Sequence, residues 1–306
     1  MKEPDFTTAR GVHYSADCLE VLEGIRPGTI DTVFADPPFN IGKDYKNGYD
    51  DQRDPLHYLR WCEEWISKCC EVLKEGGSFF LYATPELAVQ FAPIMARQLE
   101  FRHWIAVSMK GTFPRGQKLY PAHYALLYYT RGAPKTFNKL RLPIETCRHC
   151  GGEIKDYGGH RNKMHPAGVS LTDVWTDTSP NRHKKYKVRP GVNELKLMIP
   201  ERALLMSTNA GDVVLDPFGG GGSTYEAAEI HDRHWIGMEL YDSEYIRRKF
   251  EIKFPDSFGQ VPHERVIEGV LNEDYQLEVL RRFKGEGQPS RSRTDFSGTS
   301  GALNLN

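Results

Sequence analysis

The chain has 306 residues, 39% of them hydrophobic and 26% charged, with a formal net charge of −1, enough for one sizeable α/β core plus an insertion. No apolar run approaches the roughly 18 residues of a membrane span, and the polar opening MKEPDFTTAR lacks a signal's hydrophobic stretch, so a cytoplasmic protein is expected. Six cysteines scattered from Cys18 to Cys150 are too sparse for a disulfide framework, and reduced thiols are expected.

A strand is predicted near Gly11 to Ser15, a helix over Asp17 to Glu23 and a strand from Ile30 to Ala35, with Pro27-Gly28 as the turn between the last two. Apolar residues Leu59, Trp61, Cys62, Trp65, Ile66, Cys69 and Leu73 recur at helical spacing over about Leu56 to Leu73. Gly76-Gly77 is expected to stop that helix ahead of a buried strand, Ser78 to Ala83. A helix near Glu86 to Leu99 precedes two strands, Trp104 to Met109 and Tyr124 to Thr130, which read as an antiparallel pair at a sheet edge. Residues 131–190 show little periodicity and many Gly, Pro, His and basic residues, the pattern of a loop-rich insertion. Helical spacing returns from Glu194 to Ser207 and is followed by a strand, Asp212 to Asp216, a glycine-rich turn, a helix from about Thr224 to His231 and a strand, His234 to Glu239. Past Phe283 the chain is rich in Gly, Ser and Arg and reads as a disordered tail.

Charge is unevenly spread along this pattern. Between Arg131 and Pro190 there are 13 Lys/Arg against 5 Asp/Glu, a surplus of +8 that leaves −9 for the rest. A basic insertion is set into an acidic body, a distribution that suits contact with a polyanion.

The strand Val213-Val-Leu-Asp216 empties into Pro217-Phe218-Gly219-Gly220-Gly221-Gly222 and then into Ser223-Thr224 at a helix start. Glycines there let a ligand approach the backbone closely. The spacing is not that of a triphosphate loop, and no lysine follows. Glu239 ends the next strand about 20 residues further on, where a carboxylate can accept from ribose hydroxyls. Loop and acid together point to a nucleoside-bearing ligand, with NAD(P) still open on these residues alone.

A second element, Asp36-Pro37-Pro38-Phe39, closes the apolar strand that starts at Ile30. Two prolines fix the backbone and present carbonyl acceptors as a rigid rim. Asp36 adds a carboxylate and Phe39 a stacking face, a set that matches an exocyclic amino group on a flat heterocycle. A plain proline-terminated strand with a solvated acid is the other reading of this tripeptide.

The pair of motifs resembles that of S-adenosylmethionine-dependent DNA amino-methyltransferases of the DPPY/F type, with the motif order of the permuted β class. The resemblance covers about residues 11–255. It implies a Rossmann-like, mostly parallel sheet with one antiparallel edge hairpin and a target-recognition insert at 131–190. Residues 1–130 would then be the catalytic half of the core, 191–283 the cofactor-binding half and 284–306 a tail. It assigns catalysis to Asp36, Pro37, Pro38 and Phe39, and S-adenosylmethionine binding to Asp17, Asp36, Asp216, Pro217, Phe218, Gly219, Gly221, Ser223, Thr224 and Glu239. Direct methyl transfer to the N6 of a flipped adenine is the implied reaction, with cytosine N4 as the alternative because it carries the same kind of amino group. A catalytically silent DNA-binding protein on the same fold is the reading from another class. Double-stranded DNA is the implied partner, with a cognate restriction endonuclease and a homodimer as possible others.

For DNA contacts the candidates are Lys110, Arg115 and Lys118 in the loop between the paired strands, and Arg182, Lys184, Lys185, Lys187 and Arg189 in a basic run around Tyr186. Cys147 and Cys150 with His160 and His165 follow a C-x2-C-x9-H-x4-H spacing, which makes a structural zinc site a candidate; two unliganded thiols in a loop are the alternative.

Overall fold

The computed structural model describes residues 3–42, 51–109, 117, 119, 121–147, 149–152, 159, 163–178, 194–241 and 243–284. In the first half, β1 (Phe6–Thr7) and β2 (Gly11–Tyr14) lead to α1 (Cys18–Leu22), followed by β3 (Ile30–Ala35), α2 (Pro55–Val72), β4 (Leu73–Ala83), α3 (Pro85–Met95), β5 (Glu100–Ser108) and β6 (His123–Thr130). Helix starts are set locally: Asp17, Asp54 and Thr84 each cap the helix that follows by accepting from backbone N–H groups, and Pro55 and Pro85 occupy the first helical position, where a missing N–H costs nothing. The insertion supplies β7 (Arg141–Leu142), β8 (Val169–Ser170) and β9 (Val174–Trp175). The last part holds α4 (Met198–Ser207), β10 (Val213–Asp216), α5 (Ser223–Ile230), β11 (His234–Met238), α6 (Ser243–Lys253), α7 (Glu264–Ile267) and α8 (Glu273–Lys284).

Nine strands form one sheet in the order β1-β2-β11-β10-β3-β4-β6-β5-β9. From β2 to β4 all neighbours run parallel, while β6 is antiparallel to both β4 and β5. Helices cover both faces, so the central strands are apolar on both sides. Along β3 and β4, Val33, Ala35, Phe79, Leu81 and Ala83 join the core under α1, α2, α3, α7 and α8. The alternate residues Phe34, Phe80 and Tyr82 join the core under α4, α5 and α6. Asp31, 7% exposed, fixes the junction of the two chain halves: its carboxylate accepts from the Val213 N–H of β10 at 2.9 Å and pairs with Lys74 at 2.7 Å.

Several expectations need correction. Gly76 and Gly77 do not stop α2; that helix ends at Val72, and the glycines lie inside β4, where the register to β3 shifts. Gly76 adopts φ +76°, its N–H donates to the Arg131 carbonyl at 2.6 Å, and an added Cβ would sit 2.9 Å from the Lys135 backbone nitrogen. Close backbone approach, not helix termination, is what selects glycine there. The β5–β6 pair is antiparallel as expected, but it is not the edge of the sheet, because β9 from the insertion adds alongside β5 and buries Trp175. The helix expected from Glu194 begins at Met198, which puts Pro200 in its first turn, where proline is tolerated.

Candidate functional site

Four neighbouring parallel strands end at the same edge of the sheet, and each delivers one of the acids singled out in the sequence. Asp17 follows β2, Glu239 follows β11, Asp216 ends β10 and Asp36 follows β3. β10 and β3 are paired in parallel, Val214 opposite Thr32 and Leu215 opposite Val33, so the glycine loop and the Asp-Pro-Pro-Phe rim emerge side by side although 180 residues separate Asp36 from Asp216. The crevice beyond the carboxyl ends of such strands is where open α/β sheets hold their ligands.

The glycine loop is held by its own backbone and by one buried ring. Gly219 N–H donates to the Met238 carbonyl at 2.8 Å, and the hydroxyl of the fully buried Tyr225 donates to the same carbonyl at 2.9 Å. A Cβ on Gly219 would lie 2.3 Å from that hydroxyl, so only glycine fits. Gly220 differs: with φ +53°, a Cβ there would meet nothing within 4 Å among the described residues. Glu239 braces this turn, accepting from Gly220 N–H at 2.7 Å and from Tyr241 N–H at 2.9 Å. Phe218 packs edge-on against Trp65 and Trp61 of α2, with ring centroids 4.9 and 5.7 Å away.

Other predicted cofactor residues have internal partners. Asp17 caps α1, accepting from Leu19 N–H at 2.9 Å. Ser223 donates to the Leu195 carbonyl at 2.8 Å, and Thr224 is buried. Asp216 is 2% exposed and accepts from Phe218 N–H at 2.9 Å. Burial pushes its carboxyl up to about 7 with a further contribution from the Glu239 charge, against the lowering effect of hydrogen bonds from Thr224 and Phe218.

The Asp-Pro-Pro-Phe rim is clamped from three sides by residues that the sequence did not single out. The buried Tyr58 hydroxyl of α2 donates to the Pro38 carbonyl at 2.6 Å. Asp51 accepts from the N–H groups of Asn40 and Ile41 at 2.9 and 3.1 Å, and Asn40, at φ +54°, exchanges hydrogen bonds with the Arg53 backbone at 2.8 and 2.9 Å. Opposite Phe39 stand two further aromatic rings, Tyr82 from β4 and Tyr124 from β6. Their centroids lie 6.3 and 6.0 Å from Phe39 and 5.1 Å from each other. Burial, and then the neighbouring Asp36 charge, raise both phenols above their usual range. Asp36 therefore lies beside a cluster of three aromatic rings. Alternation along β4 could have placed Tyr82 on the Phe80 face, but nothing local in the sequence brings Tyr124 to Phe39.

Cys18, Cys62, Cys69 and Cys70 are buried, and burial raises all four thiols, Cys62 and Cys70 to about 12. Such thiols are poor nucleophiles. Cys147 and Cys150 share a tight turn in which Gly151 N–H donates to the Cys147 carbonyl at 2.8 Å and the Cys147 N–H to the Gly152 carbonyl at 2.6 Å. Hydrogen bonds from the Cys150 and His149 backbones lower the Cys147 thiol. His165 Nδ1 accepts from Ala167 N–H, His160 lies outside the described residues, and among the described residues no three His, Cys, Asp or Glu side chains form a metal-binding group. All eight DNA-contact candidates, Lys110, Arg115, Lys118, Arg182, Lys184, Lys185, Lys187 and Arg189, also lie outside the described residues. No helix among the described residues is long and apolar enough to cross a membrane.

The type II methyltransferase M.BamHI of Bacillus amyloliquefaciens is 47% identical over 266 residues, 86% of this chain, and this chain spans 63% of that protein's length. The DNA adenine methyltransferase YhdJ of Escherichia coli K12 is 30% identical over 238 residues, 76% of this chain and 78% of YhdJ. Among solved structures, the cytosine-N4-specific PvuII DNA methyltransferase has a TM-score of 0.56 at 18% identity and covers 93% of this chain and 96% of its own. TTHA0409 of Thermus thermophilus, complexed with S-adenosyl-L-methionine, has a TM-score of 0.54 at 18% identity, covering 81% of this chain and 98% of its own. These two structures share the Rossmann-like fold described above. A family profile described as DNA methylase, of the N6 and N4 methyltransferases, matches residues 30–250. The chain belongs to this DNA methylase family.

Proposed function

We propose that the chain transfers a methyl group from S-adenosylmethionine to the exocyclic amino group of a base in DNA. The observation that carries this reading is the pairing of β10 with β3, which sets the glycine loop beside the acceptor rim at Asp36. Gly219 to Gly222 and Glu239 would hold S-adenosylmethionine, with Asp17 toward its adenine, and the sulfonium supplies an electrophilic methyl when bound. The chain's own residues supply the rest. Asp36 and the Pro37 carbonyl accept the two amino hydrogens of a base flipped from the duplex, which directs the nitrogen lone pair out of the ring plane. Phe39 gives the base a stacking face, and the rigid rim converts an encounter of two molecules into an oriented approach. No covalent enzyme intermediate is needed.

Adenine N6 is the reading that Asp36 supports, since the family's cytosine-N4 enzymes more often carry serine at this position, and YhdJ, an adenine methyltransferase, is a relative at 30% identity. Cytosine N4 is the second reading, since cytosine carries the same kind of exocyclic amino group. The Asp36 motif precedes the glycine loop, with residues 131–190 between them, which supports the permuted β arrangement and target recognition by that segment. The core halves would be 1–130 and 191–283, with 284–306 as a tail. Type II relatives such as M.BamHI support a role in restriction-modification beside a cognate endonuclease. The test uses purified protein, labelled S-adenosylmethionine and genomic DNA: Asp36→Ala should bind the cofactor as the wild type does and transfer no label. Full transfer by the variant refutes the mechanism. Digestion of the labelled DNA to nucleosides identifies the base.

A further inference from the structure

Phenol hydroxyls buried in protein interiors find a partner in nearly every case, and the exceptions call for an explanation. Tyr82 is such an exception. The residue is 3% exposed, and its hydroxyl has no hydrogen-bond partner among the described residues. Its place is not a random spot in the core. Tyr82 lies on β4 one residue beyond Leu81, which pairs with Ala35 of β3, so it stands next to Asp36 across the two strands. Its ring packs beside those of Phe39 and Tyr124, at 6.3 and 5.1 Å between centroids.

A flipped base stacked on Phe39 would have Tyr82, whose ring lies 6.3 Å from Phe39 and is tilted by 38° against it, beside it and not beneath it. The polar edge such a base presents is fixed by chemistry. Adenine and cytosine both carry a ring nitrogen acceptor beside the carbon that bears the amino group. With the amino hydrogens on Asp36 and the Pro37 carbonyl, that nitrogen needs one donor.

We propose that Tyr82 is a further contact residue of the transfer site, its hydroxyl donating to the ring nitrogen adjacent to the amino-bearing carbon of the flipped base. The orphaned hydroxyl gains its partner only when the base is seated, so the interaction favours the reacting complex over separate protein and DNA. The inference rests on the methyl-transfer reading above, but not on which of the two bases is the target, since N1 of adenine and N3 of cytosine present the same acceptor.

Tyr82→Phe keeps the ring and removes the hydroxyl. In single-turnover transfer to a duplex that the wild type methylates, it should be about tenfold slower, the effect of losing one hydrogen bond made in the reacting complex. Its affinity for S-adenosylmethionine and its melting temperature should not fall. Tyr128→Phe, which removes another buried hydroxyl from the same apolar layer where its ring stacks on Phe80 at 4.5 Å, should react at the wild-type rate. A duplex whose target base has carbon in place of that ring nitrogen should slow the wild type, yet react equally with wild type and Tyr82→Phe. Tyr82→Phe at full rate overturns the inference alone, as does a rate loss that persists undiminished on the deaza base. A wild type that transfers no methyl group to DNA overturns both the inference and the reading on which it stands.

Discussion

Asp216 is the most testable electrostatic feature of the fold. Its carboxyl is 2% exposed, and burial raises it from 3.8 to about 7. Between about pH 4 and pH 7 the folded chain holds a proton at Asp216 that the unfolded chain has released. Fewer protons bound in the unfolded state means that stability falls as pH rises through this window, and above it the loss is constant. At 1.36 kcal/mol per unit, the roughly three units correspond to about 4 kcal/mol at most. Asn is nearly isosteric and stays neutral, and its Oδ1 can still accept from the Phe218 N–H. Asp216→Asn should therefore match the wild type near pH 4 and exceed it by several degrees in melting temperature at pH 8, at roughly 2–4 °C per kcal/mol for a chain of this size. Thermal unfolding of both proteins across pH 4 to 8 reads the difference directly, because all other titrations are common to the two. Parallel curves would refute the claim that burial of this carboxylate opposes the fold.

Tyr58→Phe removes the donor to the Pro38 carbonyl, so the rim should loosen by about 1 kcal/mol. Methyl transfer should slow several-fold in single turnover with cofactor affinity unchanged, and an unchanged rate would show that the rim holds itself. Gly219→Ala drives a methyl group into the fully buried Tyr225, which cannot swing aside. It should cost about 1–3 kcal/mol in denaturant unfolding and weaken S-adenosylmethionine binding, while wild-type stability would show that the loop relaxes around the added carbon.

How much of this was legible from the chain depends on the range of the forces involved. Strands β3, β4, β6, β10 and β11 and helices α2, α3 and α5 follow from local apolar periodicity, and the adjacency of Asp36 and Asp216 follows from the family resemblance carried by two motifs. What escaped was set by contacts distant in sequence. Gly76 reads locally as a helix stop, yet its conformation is dictated by the Arg131 carbonyl and Lys135. β9 is too short to have a periodicity, and only the exposed edge of β5 makes Val174-Trp175 a strand. Helices α6 and α8 do carry amphipathic spacing; Ile246 with Phe250 and Tyr275 with Val279 are buried four residues apart, a signal masked by the many charges around them. Tyr58 and Asp51 gave no local sign, because their work is to hold a backbone turn.

Three departures from ordinary local rules meet at one edge of the sheet. A carboxylic acid is buried at Asp216, a left-handed backbone occurs at Asn40, and an unpartnered hydroxyl sits at Tyr82, all at the carboxyl edge of β10, β3 and β4. Each is unfavourable to folding by something of the order of 1 kcal/mol or more. Stability alone would select against each of them. Comparable costs occur elsewhere among the described residues, at the buried hydroxyls of Tyr14 and Tyr128 and the left-handed Asp232, but these three stand where the fold brings the two motifs together, and there chemistry can select residues that packing would not. Asp216→Asn and Tyr82→Phe should each leave the chain as stable as the wild type or more so, while Tyr82→Phe loses transfer rate. Variants that prove less stable would place these residues in the core's service instead of the site's.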